Sequence, residues 1–414
     1  MSWLNPFSLQ LKSKNQKLKT DISLKYLPRF AIVILLEMLI TMEEQTMGEN
    51  TVWVDFKTLE NFMTDTFVGV GVPEEDARIC ADVLIAADKR GIDSHGIGRL
   101  KTIYYDRIRE GTQLPVTKFE IVKDSLATAV VDGHNGMGQV IAKKAMELTI
   151  EKAKKYGMGM VAVRNSTHYG IAGYYTLMAA EAGMIGITGT NARPSVAPTF
   201  GVENMFGTNP LTFSMPSDEE FPFFLDCATS MVQRGKIELF ERAEKEIPEG
   251  WVVGVDGKAM TNPHQILEAF RKGDAALVPL GGIGEKTAGY KGYGYATVVE
   301  ILSAALQGGK YLRMLSGMED GQKIPINLGH FFIAINIASF IDLESFKKTT
   351  GDILRTLRLS KKAPKAERIY TAGEKEYLAW LDRKDKGAPV NKNLQLQLLE
   401  IKKELNLEKY NFPF

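Results

Sequence analysis

The apolar positions Ala77, Cys80, Ala81, Leu84 and Ala87 recur at helical spacing, which predicts an amphipathic helix with Cys80 among its inward residues. Pro73 at the first helical position and the acids Glu74, Glu75 and Asp76 over the positive end of the dipole set its start, and Gly91 marks its end. From residue 127 the texture changes. Residues 127–132 read as a strand, 139–156 as a helix stopped by Gly157, 160–163 as a short buried strand, 172–182 as a helix of small residues and 185–188 as another strand. Strands follow at 223–225, 276–278 and 331–335, with a helix over 293–306 closed by Gly308 and Gly309. The tail returns to helix over 394–405, behind a charged connector at 383–391. Alternating strands and helices predict an α/β layer.

The first stretch stands apart from this pattern. Lysines stud residues 12–25, and the apolar run 30–40 that follows contains Glu37. That run is shorter than the roughly 18–20 apolar residues needed to span a bilayer, and no small-residue cleavage site follows it. Residues 1–47 therefore read as a leader, disordered or not part of the natural protein, and no membrane partner is expected.

Composition narrows the function. The chain has 414 residues, 44% of them hydrophobic, enough for one large core or two ordinary ones. Lys and Arg number 51 against 50 Asp and Glu, a formal charge of +1, which removes the electrostatic footprint of a nucleic-acid binder. Cys80 and Cys227 are too few for a disulfide framework or a four-cysteine zinc site, so a reducing, cytoplasmic setting fits and no metal is expected.

The familiar nucleotide signatures fail. Gly69-Val70-Gly71 lacks a third glycine, the Gly289 to Gly294 stretch has no strand at the right distance before it, and in Gly281 to Thr287 the lysine does not directly follow a glycine. Histidine is the better lead. If the chain is helical from His95, Arg99 shares its face, and such a pair suits a 2-oxoacid: the guanidinium grips a carboxylate and the imidazole moves a proton at the neighbouring carbonyl. A helix-cap histidine beside an exposed arginine would have the same spacing. His168 lies in a polar loop between a buried strand and a helix, where α/β layers gather ligands, although capping alone could select it. His134 is on a tight turn, and His264 reads as a solvated loop residue. The glycine-rich and polar segments 206–210, 226–230 and 290–294 suit either a phosphate and amide contact or plain turns.

Six segments taken in order resemble the malate/L-lactate/sulfolactate dehydrogenase family, nicotinamide-dependent 2-hydroxyacid dehydrogenases without a Rossmann fold. They are Asp93-Ser94-His95-Gly96 with Arg99, Asn165 to Gly173, Phe206 to Pro210, Asp226 to Ser230 with Arg234-Gly235-Lys236, Lys291 to Gly294, and Gly329-His330-Phe331-Phe332. The resemblance covers residues 52–407. It implies an α/β fold of α+β character: a mainly helical domain built from 48–125 together with 335–414, and a mixed-sheet cofactor domain over 126–334. It also implies a homodimer. His95 is implied in proton transfer and Arg99 in substrate binding, while His168 is also implied as the acid/base. Cofactor contacts map onto Asn209, Pro210, Asp226, Ala228, Thr229, Ser230, Tyr290, Lys291, Gly292, Gly373 and Glu374.

Three departures from the family pattern stand out. Residues 283–289 look inserted ahead of Lys291, Cys227 takes a position often held by methionine, and Arg193 could favour the 2′-phosphate of NADP over NAD. The expected activity is reversible oxidation of a small L-2-hydroxyacid by NAD, malate first, with lactate, sulfolactate, ureidoglycolate and cyclic imino acids as alternatives. Two other classes stay open: a zinc hydrolase using His95, His134 and His168, and a dinucleotide-binding protein without turnover.

Overall fold

A computed structural model describes residues 51–414, and the expected leader over residues 1–47 lies outside them. The chain enters through α1 (Phe56–Gly69), whose N-cap Asp55 accepts from the Thr58 amide, and α2 (Glu74–Lys89). Pro73 is the cap of α2 and not its first residue, because its ψ of 142° is still extended. Ala77, Cys80, Ala81, Leu84 and Ala87 are fully buried, as their spacing predicts. After a bend the chain makes one 3-10 turn, Ile97–Arg99, and then a π-helical segment, Leu100–Tyr105.

A seven-stranded sheet follows, built from β1 (Glu120–Asp124), β2 (Thr128–Asp132), β3 (Met158–Ser166), β4 (Met184–Thr190), β5 (Leu211–Met215) and β6 (Phe223–Cys227). Two short strands, β7 (Val252–Gly254) and β8 (Ala275–Leu277), pair separately. The last strand, β9 (Leu328–Asn336), inserts between β3 and β4, giving the order β1-β2-β3-β9-β4-β5-β6. Only β2 and β3 run parallel. They are joined through α3 (Gly138–Tyr156), which Gly157 ends at φ 84°, a left-handed geometry that favours glycine. The sheet is therefore mixed, as the resemblance implied. The buried strands run longer than their apolar stretches suggested, because polar Asn165 and Ser166 continue β3 and Gly189 and Thr190 continue β4.

A short helix, Asp106–Arg109, continues the π-helical segment, and the remaining helices are α4 (Gly173–Glu181), α5 (Arg234–Arg242), α6 (Pro263–Lys272), α7 (Gly289–Ala304), α8 (Leu343–Leu359), α9 (Glu374–Arg383) and α10 (Lys392–Glu404). Their apolar faces define three main cores. One joins α1, α2 and the π-helical segment to Ala388, Val390, α10 and the final aromatics Tyr410 and Phe412, so both ends of the described chain share it. The second lies under the sheet, where α3 and α4 cover Val161, Val163, Phe332 and Ala334. The third packs α5 and α6 onto β7 and β8. Helix α8 stands outside all three cores, and its Arg355 and Arg358 ion-pair with Asp218 and Glu219.

Phe332 sits fully buried at the middle of the second core, edge-on to Tyr175 at 5.8 Å. Phe332→Ala should cost about 3–5 kcal/mol by leaving a cavity, whereas Phe340→Ala, 74% exposed, should stay within about 0.5 kcal/mol of the parent. Urea unfolding of the two variants checks this pair, and equal losses would contradict the placement of the core.

Candidate active site

Two loops carry the site, and each is shaped by its neighbours. After α2 the chain bends at His95 and Gly96 and does not continue as a helix, so the expected one-turn helical pairing of His95 with Arg99 is replaced by a tighter arrangement. The cause is Asp88. Its carboxylate, 2% exposed, accepts the Ile97 amide at 2.8 Å and lies so close under Gly96 that a Cβ there would fall 1.8 Å from Oδ1. A second tether comes from α9, where Arg383 donates to the Asp88 carbonyl at 2.9 Å and forks onto the Asp93 carboxylate. Arg99 still ends beside His95, its Nε donating to the Ser94 carbonyl.

His168 follows the last residues of β3 and faces His95. The two imidazole rings stack 5.8 Å apart at 20°. Tyr104, fully buried in the π-helical segment, places its hydroxyl 2.6 Å from His168 Nδ1, and the Gly170 amide donates to the same nitrogen at 3.3 Å. An N–H aimed at Nδ1 requires a lone pair there, which assigns the proton of the neutral ring to Nε2. Burial holds the Tyr104 phenol well above its ordinary range, so it serves as a hydrogen donor. Next to His168, Tyr169 stacks on the fully buried ring of His330 at 4.4 Å, and His330 Nδ1 lies 2.8 Å from the Thr190 hydroxyl.

The electrostatics keep these rings neutral. Burial, then the Arg99 charge, pulls His95 down to about 4. Burial also pulls His168 well below its ordinary value, helped by His95, Arg107 and Arg99. Asp88 goes the other way. Burial, opposed by the Ile97 amide and aided by Asp93, pushes it up to about 8.

The expected cofactor residues lie just before β5, at and after the end of β6 and at the starts of α7 and α9. Asn209 is buried, its Nδ2 donating to Glu300 at 2.8 Å and to the Ala296 carbonyl, while its Oδ1 has no partner among the described residues. Thr229 bonds back to the carbonyls of Thr208 and Asn209, Ser230 bridges to Pro279, and the Leu280 amide donates to the Thr229 carbonyl, so these segments form one patch. Gly292 joins it, since a Cβ there would fall 2.1 Å from the Leu280 carbonyl oxygen. Tyr290 is half exposed at the start of α7, with the Lys291 ammonium 6.0 Å from its ring. Pro210 and Ala228 flank the same turns, half-buried.

Two carboxylates in the set are already engaged. Asp226 accepts the Gly173 amide at the start of α4 and the Thr212 hydroxyl, and Glu374 is buried against Arg368 and the Thr371 amide. Gly373 packs against Pro222 and Phe224, at the end of β6 away from Thr229. The unspent Asn209 acceptor and the exposed Lys291 ammonium match what an amide and a pyrophosphate need. A nicotinamide dinucleotide fits those groups.

Other expectations separate here. His134 leaves the histidine group: it bonds Glu120 at 2.7 Å on a turn of its own. His264 pairs with Glu241 on the surface. Among the described residues no group of three His, Cys, Asp or Glu side chains could hold a metal ion. Arg193 lines a cleft with Thr167, the neighbour of His168. Asp88, Tyr104 and Arg107 are absent from the sequence reading. Asp88 had a signal, because it continues the apolar stripe Ala77, Ala81, Leu84 at the next helical step. Tyr104 had none, since a π-helical turn shifts the register that spacing rules assume.

Comparison with known proteins now decides the class. A family profile described as Malate/L-lactate dehydrogenase matches residues 54–399. The chain belongs to the malate/L-lactate dehydrogenase family. A malate dehydrogenase from Pyrococcus horikoshii is 43% identical over 366 residues, covering 88% of this chain and 99% of its own length. An L-sulfolactate dehydrogenase from Methanocaldococcus jannaschii is 42% identical over 361 residues, 85% of this chain and 97% of its own. The crystal structure of malate dehydrogenase from Entamoeba histolytica superposes with a TM-score of 0.84 at 46% identity, over 88% of this chain and all of that one. The protein is thus a dehydrogenase, and membership of this family implies a nicotinamide cofactor.

The shifted carboxyl gives a pH test. The folded protein retains a proton on Asp88 that the unfolded chain releases near 3.8, so this group lowers stability progressively as pH rises from about 4 to about 8. Asp88→Asn keeps an oxygen for the Ile97 amide and does not titrate. Its melting temperature should gain on wild type between pH 5 and pH 8 and then hold a constant lead; thermal scans at pH 5, 7 and 9 measure it, and a lead that does not vary with pH would contradict the buried, protonated carboxyl.

Proposed function

We propose that this dehydrogenase reversibly oxidises a small L-2-hydroxyacid to its 2-oxoacid with NAD, and that malate is the substrate. The observation that carries the reading is the stacked His95 and His168 pair with Arg99 beside it. The names of the relatives support the choice of malate, since two of the three just described are malate dehydrogenases. Bound NAD would supply the hydride acceptor, held by Asn209, Thr229, Ser230, Tyr290, Lys291 and Gly292, with Gly373 and Glu374 completing the set.

The residues of this chain divide the remaining work. Arg99 has its Nε occupied by the Ser94 carbonyl, which orients the guanidinium and leaves both terminal nitrogens for a bidentate grip on the C1 carboxylate. His95, neutral at neutral pH, takes the hydroxyl proton as the C2 hydrogen leaves as hydride. His168 has its Nδ1 engaged by Tyr104 and Gly170, so its Nε2–H donates a hydrogen bond to the reacting oxygen. Fixing three groups around one carbon removes much of the entropic barrier, an effect worth about 7–11 kcal/mol in well-oriented intramolecular reactions.

The chain works as a homodimer in this reading. Tyr295, Val298 and Ile301, each three residues after the last, leave an apolar stripe of α7 exposed, the kind of patch that a second copy covers. A cytoplasmic setting suits the two unpaired thiols, Cys80 and Cys227. Among the described residues no helix is long and apolar enough to cross a membrane.

Loss of 340 nm absorbance from NADH or NADPH with oxaloacetate, pyruvate, sulfopyruvate and a cyclic imino acid tests the activity, with fast NADH loss on oxaloacetate expected. His95→Gln should lower kcat by about 10²–10⁴-fold and abolish the acidic limb near pH 4 in hydroxyacid oxidation. His168→Gln and Tyr104→Phe should lower kcat while keeping that limb. A limb that disappears in His168→Gln and survives in His95→Gln would reverse the two assignments.

A further inference from the structure

Beside the histidine pair lies a cleft of about 350 Å³ that the reacting centre as described does not use. Thr167 lines it, and Arg107 and Arg193 stand in its wall. Arg107 lies in the short helix Asp106–Arg109 that continues the π-helical segment, and its charge acts on both the Tyr104 phenol and the His168 ring, which places it near them.

The charge balance of the cleft is uneven. Its two acids, Asp106 and Glu110, are ion-paired to Lys101 at 3.0 Å and to Lys323 at 2.7 Å. Arg107 and Arg193 have no carboxylate within ion-pair distance among the described residues. Arg107 is half-buried, and its guanidinium is pulled below its ordinary range by burial, by Arg193 and by Arg99, with Tyr104 and Glu110 opposing. The Arg107 charge, like that of Arg99, also disfavours a proton on His168. Two uncompensated guanidinium groups beside the histidines, in addition to Arg99, describe a site with two anion grips. Holding like charges together without a counterion is unfavourable, and a bound anion relieves it.

We propose that Arg107 and Arg193 bind a second anionic group of the substrate, two bonds beyond the reacting carbon, while Arg99 binds the first. The substrate class is therefore a dianionic 2-oxoacid or 2-hydroxyacid, with either a carboxylate or a sulfonate at its far end. This rests on the reading of His95, His168 and Arg99 as the reacting centre. A monoanion such as pyruvate leaves the two arginines unpaired and forfeits their contribution, so specificity arises in this cleft. Planar, forked guanidinium groups suit both acids, whereas a lysine would supply a point charge without the second hydrogen bond.

The test is the ratio of kcat/KM for oxaloacetate to that for pyruvate, measured with the full chain and NADH, and repeated with sulfopyruvate to separate a carboxylate preference from a sulfonate one. Arg107→Gln and Arg193→Gln should each lower this ratio by about 10- to 100-fold, the loss of a charge-assisted hydrogen bond. NADH affinity, read by fluorescence titration, should stay within about twofold. Equal loss on both substrates, or an unchanged ratio, overturns the proposal. A rise in KM for NADPH in Arg193→Gln with the ratio intact would assign Arg193 to the cofactor and overturn its part. Wild type that turns over no 2-oxoacid at all would instead overturn the underlying dehydrogenase reading of the histidines, a different result from turnover without discrimination. If Arg107→Gln does not fold, the exposed Arg193→Gln carries the test alone.

Discussion

The insertion of β9 between β3 and β4 is the constraint on which the rest of the molecule depends. Seven consecutive register pairs, His330 with Thr190 through Asn336 with Met184, tie it to one neighbour, and Leu328 through Ile335 tie it to the other. Without it the sheet would be two separate pieces, one carrying His168 at the end of β3 and the other leading to Asn209 and Thr229. With it, the loop of His168 and the proposed cofactor segments are held in one rigid frame, and His330 buries its ring directly behind Tyr169.

A second constraint acts on the smaller scale of one loop. Asp88 is a carboxyl buried among apolar residues, and its favourable contacts are the Ile97 amide and the nearby Arg383. Burying such a group is unfavourable in itself, and here it shapes the bend on which His95 and Arg99 depend. The arrangement links two distant parts of the chain, because Arg383 comes from α9, 295 residues away from Asp88. The active loop is thus fixed by tertiary contacts and not by its own helical propensity.

That difference explains what could be read from the sequence. Local rules work where one element decides its own form: the stripe on α2, the Gly157 stop of α3 and the apolar run within β9 are all read correctly. Family resemblance supplies the mixed sheet and the histidine pair, which no local pattern contains. Failures occur where a distant group overrides local preference. The helix expected from His95 starts only at Ile97, whose amide donates to Asp88, and the π-helical register that delivers Tyr104 to His168 has no signature in spacing. Strand β5 (Leu211–Met215), with its Thr212 and Ser214 buried, reads as polar alternation and was missed, since its hydroxyls are satisfied by Asp226 and Thr176. Arg193, read from the sequence as a contact for the 2′-phosphate of NADP, shows its place in the cleft around Thr167 only when that cleft is assembled.

The position of β9 also governs how the chain must be made. Its partners lie at residues 158–190, and it is itself at 328–336, so the centre of the sheet stays open until the last third of the polypeptide has emerged. At about 5–20 residues per second, that interval is roughly 7–30 s during which β3 and β4 present unpaired edges. Non-local pairing of this kind is slow and exposed to aggregation. Completion of the central sheet is accordingly a late event in synthesis, and a nascent chain halted before residue 328 would be a client for whatever chaperone shields sticky strand edges at the ribosome.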